Sequence, residues 1–502
     1  MNYSFDQYEV WFLTGSQELY GEETLKQVAQ QSQKIVQYLG EQQDIPVKVV
    51  YKPTLVSPEQ ILNTCIEASA NKACVGVVTW MHTFSPSKMW INGLKNLSKP
   101  MLHLHTQYHR DIPWDAIDMD YMNLNQSAHG DREFGFICSR LKINRKVVVG
   151  HWQEPEVAKQ IGNWSRVAVA KADLQGAKIA RFGDNMREVA VTEGDKVSAE
   201  IKFGFAVNTH PVGDLVKILN QVTDAEAMEM VAVYENQYKL SAKLMEEGKL
   251  RSSMKESARI EVALRQFLAK DNYVAFTNTF EDLHGMKQLP GIATQRLMAD
   301  GYGYGGEGDW KTSAMVRATK VMAAGLKGGT SFMEDYTYHF DPKNPSVLGA
   351  HMLEICPSIA GGEVACEVHP LSIGGKEDPA RLVFNGAAGS AINASLITLG
   401  NRFRLIVNEV EAEAIENDLP NLPVARVLWK PQPSMKDGLA AWILAGGAHH
   451  TVYSQAVGTE FMEDFADMFD VELVVIDKDT KIRDFKNQLK FSDQYYSLKK
   501  EY

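Results

Sequence analysis

The chain has 502 residues, too many for one hydrophobic core, and at roughly 100 to 200 residues per domain it should hold about three. Hydrophobic residues make up 45% and charged residues 23%, as in ordinary globular proteins, and a formal charge of −11 without a Lys/Arg cluster excludes a general phosphate-backbone binder. The N-terminus lacks a basic segment followed by an apolar run, no stretch of about 18 consecutive apolar residues occurs, and the five cysteines include no C-x-x-C, so a reducing cytoplasm is expected rather than export, a membrane, a disulfide scaffold or a thiolate zinc site.

The first third alternates strand and helix signals in the order of parallel βαβ units. The run Glu9 to Thr14 predicts a strand, and Leu25, Val28, Ile35, Val36 and Leu39 keep helical spacing until Gly40 stops it. Val47 to Tyr51 predicts a second strand. Ser57-Pro58-Glu59-Gln60 then reads as an N-cap, a proline at the first helical position and a capping-box glutamine, leading into Ile61, Leu62, Cys65 and Ile66. Val75 to Thr79, Met101 to His105 and Val147 to Gly150 complete the strands of a doubly wound, Rossmann-like sheet, assigned to residues 1–177.

A second Rossmann-like unit, 178–327, is expected from the strand Ile179 to Phe182, helices Ala225 to Glu246 and Ser253 to Leu268, the strand Tyr273 to Phe280, and a helix Ala314 to Ala324 closed by Gly325. Beyond Gly328-Gly329 the texture changes. Leu382 to Phe384, Ala391 to Thr398, Phe403 to Val410 and Val424 to Trp429 predict short antiparallel strands of a β-rich region, 328–502, in which the helix Glu460 to Phe469 and the strand Val471 to Ile476 end the ordered part. The fold class is therefore α/β, two doubly wound domains followed by a β-rich one.

Four residues stand where core or surface logic does not place them. Glu307 lies in GGEGD, where missing side chains let a ligand approach closely; a solvated surface carboxylate is the plain alternative. Glu334 lies in FMEDY, an apolar setting that requires a partner, whether a metal, an arginine or a second carboxylate. His351 follows Gly349-Ala350, and His450 ends GGAHH; adjacent side chains on an extended segment face opposite sides, so of His449 and His450 one is chosen, His450. Two carboxylates and two imidazoles without thiolate suit Mn²⁺, Co²⁺ or Mg²⁺ better than structural zinc. The G-x-G-x-x-G match in GYGYGG follows a helical run, Ile292 to Met298, and not a strand, which argues against a dinucleotide site. Gln17, His82, His105 and His129 follow strands at the end of the sheet where such folds collect ligands, and Phe280 repeats the pattern in the second unit.

The segments VWFLTGSQELYG, TWMHTFSPSKMWINGL, MDYMNLNQSAHG, RFGDNMREVAVTEGDKV, TFEDLHGMKQLPG, GEGDWKT, GGTSFMEDYTYHF, IGGKEDPARLVFN and WILAGGAHHTVYS closely resemble the L-arabinose isomerases. That resemblance implies an aldose-ketose isomerase converting L-arabinose to L-ribulose, with D-galactose to D-tagatose as a side activity. It also implies two Rossmann-like domains before a C-terminal β-barrel-like domain, one Mn²⁺ per subunit, and a cytoplasmic homohexamer whose subunits contribute to each other's sites. By residue, it implies Glu307, Glu334, His351 and His450 as metal ligands, Glu307 and Glu334 as the acid/base pair, and Gln17, Phe84, His129, Met186 and Phe280 as sugar-binding residues. Neither nucleic acid nor membrane is expected as a partner. A two-lobed solute receptor would have no use for the third region that carries three of the four candidate ligands, and an isomerase for L-fucose is the nearest competing activity.

Overall fold

The computed structural model describes residues 3–371, 375–416 and 419–499. The chain divides into two compact units, one made of Ser4–Ala172 with Asp467–Asp470, the other of Asp173–Ala466 and the chain from Val471 onward.

The first unit holds a five-stranded parallel sheet of β1 (Glu9–Gly15), β2 (Lys48–Tyr51), β3 (Cys74–Met81), β4 (Met101–His105) and β5 (Lys146–Val149), in the order β2-β1-β3-β4-β5. β1 and β3 are apolar nearly throughout because a parallel sheet is covered on both faces. The helix Pro58–Ala70 starts as its sequence predicts, with Ser57 Oγ accepting from Gln60 N–H at 3.3 Å; Gln60 returns its side chain to Val56 N–H at 3.0 Å, one residue before the cap. Strand order reverses between β1 and β3, where Ser16 and Thr83 hydroxyls meet at 2.6 Å just past the strand ends.

The second unit contains β6 (Lys178–Phe182), β7 (Ala206–His210), β8 (Lys239–Leu240), β9 (Tyr273–Asn278) and β10 (Gly303–Gly305), of which four form a parallel sheet in the order β10-β9-β6-β7. The helix expected over Ala225 to Glu246 stops at Gln237, because Tyr238 turns extended and Lys239 N–H is taken by Val364 O at 3.1 Å, adding β8 to a small sheet with β13 (Ala365–Val368) and β14 (Ala380–Val383).

In the same unit, β11 (Thr330–His339), β12 (Ser346–Ala350), β15 (Gly389–Thr398), β16 (Phe403–Glu413), β17 (Arg426–Pro431) and β18 (His450–Ser454) run β15-β18-β11-β12-β17-β16, and β16 pairs back onto β15. The expected β-rich region is thus a closed antiparallel barrel, with β19 (Glu472–Ile476) added parallel to β16. One continuous core joins the barrel (Met333, Val347, Trp429, Tyr453) to the helices of the central part (Val231, Met254, Ile292). Order does not end at Ile476: a helix Ile482–Leu498 follows, anchored by Phe485 and Leu489, its two buried residues, spaced i,i+4 on one face. Among the described residues no helix is long and apolar enough to cross a membrane.

Candidate metal centre and active site

Barrel register assembles the site. Glu334 of β11 lies opposite Ala350 of β12 on one side and His450 of β18 on the other, so a carboxylate and an imidazole from residues far apart in sequence become cross-strand neighbours. His351 follows β12 by one residue. Glu307 arrives from the loop after β10, its backbone in the left-handed region at φ 57°, with its carbonyl accepting Met186 N–H at 3.0 Å.

Glu307, His351 and His450 each offer a ligand atom within 4.8 Å of the others. His450 is completely buried; its Nδ1 lies 3.3 Å from Asp309 Oδ2, while its Nε2 has no hydrogen-bond partner and lies 3.8 Å from Glu307 Oε2. Burying an imidazole nitrogen without a partner is costly unless something else binds it. His351 repeats the arrangement, with Nδ1 at 2.5 Å from Glu354 Oε2 and Nε2 at 3.9 Å from Glu334 Oε2. A carboxylate on each Nδ1 fixes the tautomer that leaves Nε2 for a metal. The orphaned His450 Nε2 and the donor set of carboxylate oxygens and imidazole nitrogens fit a hard or borderline divalent cation.

Phe332, buried beneath the site, presents its ring to His351 at 4.9 Å and His450 at 5.0 Å, and Tyr304 packs edge-on behind it at 5.5 Å. His449 also reaches the site, its Nε2 3.4 Å from Glu307 Oε2, contrary to the expectation that the neighbouring histidines face opposite ways. The reason is local: β18 begins at His450, so His449 precedes the strand and escapes its alternation.

Electrostatics separate the two glutamates. Burial pushes Glu307 up, but the His449 hydrogen bond and the charges of His450, His449 and His351 outweigh it and hold the carboxyl below its usual range. Burial dominates at Glu334, which is raised despite His351 and His449, and Glu307 raises it further. Burial also lowers His450, favouring the neutral, metal-binding imidazole.

A cavity of about 270 Å³ opens over these groups, and Glu307, Glu334, His351, Met186 and Phe280 all line it. The other three candidates lie in the first unit: Gln17 precedes a short 3-10 turn after β1, and the Phe84 and His129 rings pack at 4.5 Å. Sequence reasoning passed over Asp309, Glu354, Phe332 and Tyr336, the last of which also lines the cavity, and set His449 aside in favour of His450. Asp309 N-caps the helix Trp310–Met322, and Glu354 stands three residues after His351; both signals are those of ordinary caps and turns.

The family models for the N-terminal, central and C-terminal domains of L-arabinose isomerase match residues 4–176, 178–325 and 329–472 in turn. This chain belongs to the L-arabinose isomerase family. The L-arabinose isomerase of Flavobacterium johnsoniae is 62% identical over 492 residues, covering 98% of each chain. That of Geobacillus stearothermophilus is 60% identical over 97% of this chain and 98% of its own, and that of Klebsiella pneumoniae strain 342 is 54% identical over 99% of both. Within the family's central match lies Glu307, and within its C-terminal match lie Glu334, His351 and His450.

Proposed function

We propose that this chain is a metal-dependent aldose-ketose isomerase that converts L-arabinose to L-ribulose, and D-galactose to D-tagatose as a side reaction. The observation that carries the reading is the buried, partnerless His450 Nε2 facing Glu307 beside His351, next to a cavity lined by Glu307, His351 and Glu334, in a chain similar to L-arabinose isomerases along nearly its whole length. D-Galactose shares the L-arabinose configuration at C2 to C4, so a site that reads those centres accepts both.

Glu307, Glu334, His351 and His450 would hold one Mn²⁺ per subunit, with Co²⁺ or Mg²⁺ as substitutes, supplying the Lewis acidity that would polarise the sugar carbonyl and acidify the C2 proton. Glu307, held below its usual range, takes the proton from C2 and returns it to C1 of the cis-enediol. Glu334, which burial keeps protonated to higher pH, relays a proton between O2 and O1. Each such role contributes roughly 10² to 10⁴ in rate. Met186 and Phe280 give the cavity its apolar wall, and Gln17, Phe84 and His129 supply further sugar-binding groups in a cytoplasmic homohexamer with sites at subunit interfaces. The three-domain division, 1–177, 178–327 and 328–502, belongs to the same reading.

Incubation with L-arabinose and Mn²⁺ should yield L-ribulose; a protein that binds the sugar and forms no ketose would be a receptor, and the reading would fall. In D₂O the product should carry deuterium on carbon. Ketose formed without it would replace the enediol by a hydride shift from C2 to C1.

A further inference from the structure

Two side chains that line neither the cavity nor the cluster of ligand atoms grip the segments that carry those atoms. We propose that Lys311 and Asn185 are positioning residues for His450 and Glu307, an inference that rests on the metal-dependent site proposed above. Lys311 is 1% exposed; its Nζ donates to Thr192 O at 2.8 Å and Glu193 O at 2.7 Å and lies 3.4 Å from Asp309 Oδ1. The other Asp309 oxygen faces His450 Nδ1. A chain of ammonium, carboxylate and imidazole therefore ends at the partnerless Nε2.

Asn185, 4% exposed, donates Nδ2 to Thr192 O at 2.6 Å and to Gly308 O at 3.2 Å, and its Oδ1 accepts from the Arg181 guanidinium. Both donors thus converge on the Thr192 carbonyl, and Asn185 pins the carbonyl of Gly308, the residue after Glu307. Met186, the next residue, pins the Glu307 carbonyl itself. A left-handed non-glycine residue persists only where its surroundings over-determine it, and these contacts supply that constraint by holding the two successive carbonyls, of Glu307 and Gly308, on its C-terminal side. A buried ammonium is costly, and a methionine of similar length would fill the same volume without that cost. What methionine cannot do is hold Asp309 and two carbonyls at fixed places.

The test compares wild type with Lys311→Met and Asn185→Asp, the latter keeping the acceptor for Arg181 while losing both donated bonds. Mn²⁺ titration calorimetry on the metal-free proteins should show the dissociation constant raised about 10- to 100-fold in each variant. At saturating Mn²⁺, kcat should fall while the sugar KM stays within about twofold, as for an interaction that aligns the reacting groups without touching the substrate. A variant with native circular dichroism and a lower Tm, yet with Mn²⁺ affinity and kcat like wild type, would make these residues merely structural and overturn the proposal. Should Lys311→Met fail to fold, Asn185→Asp decides by the same readings. Should the wild type neither bind Mn²⁺ nor isomerise sugar, the functional reading fails separately. The crystal structure of the metal-free Asn185→Asp protein then decides the positioning claim, which is overturned if Glu307 keeps its left-handed backbone and Asp309 its contact with His450.

Discussion

Alanine at Gly308 should damage the fold, whereas alanine at its neighbour Gly306 should damage the chemistry. Gly308 has φ 80°, and a Cβ there would lie 2.6 Å from Asn185 Cα and 2.7 Å from Asp184 O, both belonging to backbone that cannot swing aside. A left-handed alanine costs roughly 1 to 2 kcal/mol, and forcing a carbon into packed backbone adds about 1 to 3 kcal/mol. The lost flexibility of the unfolded chain returns about 0.4 to 1 kcal/mol, which leaves a net destabilisation of roughly 1 to 5 kcal/mol. At about 2 to 4 °C per kcal/mol, the apparent Tm in EDTA should fall by roughly 2 to 20 °C. At Gly306 the same methyl meets His351 Nε2 and the Phe332 ring at 3.3 Å, tight but not impossible, so Tm should change little. It would, however, crowd the nitrogen that the proposed site offers to a metal, and Mn²⁺ affinity should drop by about 10-fold or more, in the range seen when the surroundings of a ligand are disturbed. Differential scanning fluorimetry in EDTA and Mn²⁺ calorimetry read the two effects apart. Equal Tm losses in the two variants, or a Gly306→Ala protein with unaltered Mn²⁺ binding, would refute the reasoning.

Glu307→Gln and Glu334→Gln should each lower ketose formation by about 10² to 10⁴ while circular dichroism stays native, and a fully active variant would remove that residue from the acid/base pair. All five cysteines are buried, and burial pushes Cys65, Cys138 and Cys366 up to about 12 and Cys74 up to about 11, so the native protein should show almost no reaction with a disulfide reagent until denaturant releases every thiol. Rapid labelling of the folded chain would contradict that burial. In the first unit the hydrogen bond to Asp131, at 2.8 Å, raises His105 against the opposing effect of burial. Stability from a raised histidine is complete below its unfolded value of about 6.5 and disappears as pH climbs through the folded value. The Tm gap between wild type and His105→Gln should therefore be wider near pH 5.5 than near pH 9. A gap that widens with rising pH would reverse the assignment.

The parallel sheets were legible because strands buried on both faces read as unbroken apolar runs, as in VWFLTG and CVGVVTWM. The barrel strands that carry the site were not. β11, TSFMEDYTYH, is buried only over its first part, and its register shifts between Asp335 and Thr337, which breaks the alternation a strand signal depends on. β12 and β18 are five residues each, too short to outweigh Gly349 in one and the leading histidine in the other. The ligand candidates stood out as polar residues in apolar or glycine-rich settings, which local sequence does display. Asp309 and Glu354 did not, because a carboxylate that orients an imidazole is recognisable only once the fold has put the two in contact. The helix that overran Gln237 had a similar cause: its sequence stays helical in texture, and only the distant Val364 carbonyl ends it.

β18 enters the barrel between β15 and β11 although it is among the last strands to be made. A nascent chain still short of residue 450 therefore carries an open seam, with the edges of β15 and β11 unsatisfied along the stretch β18 will fill and one imidazole not yet synthesised. If the proposed site takes its ion, loading would have to wait until this strand is made, and a protein cut short by premature termination upstream of it would keep that seam open, an aggregation hazard.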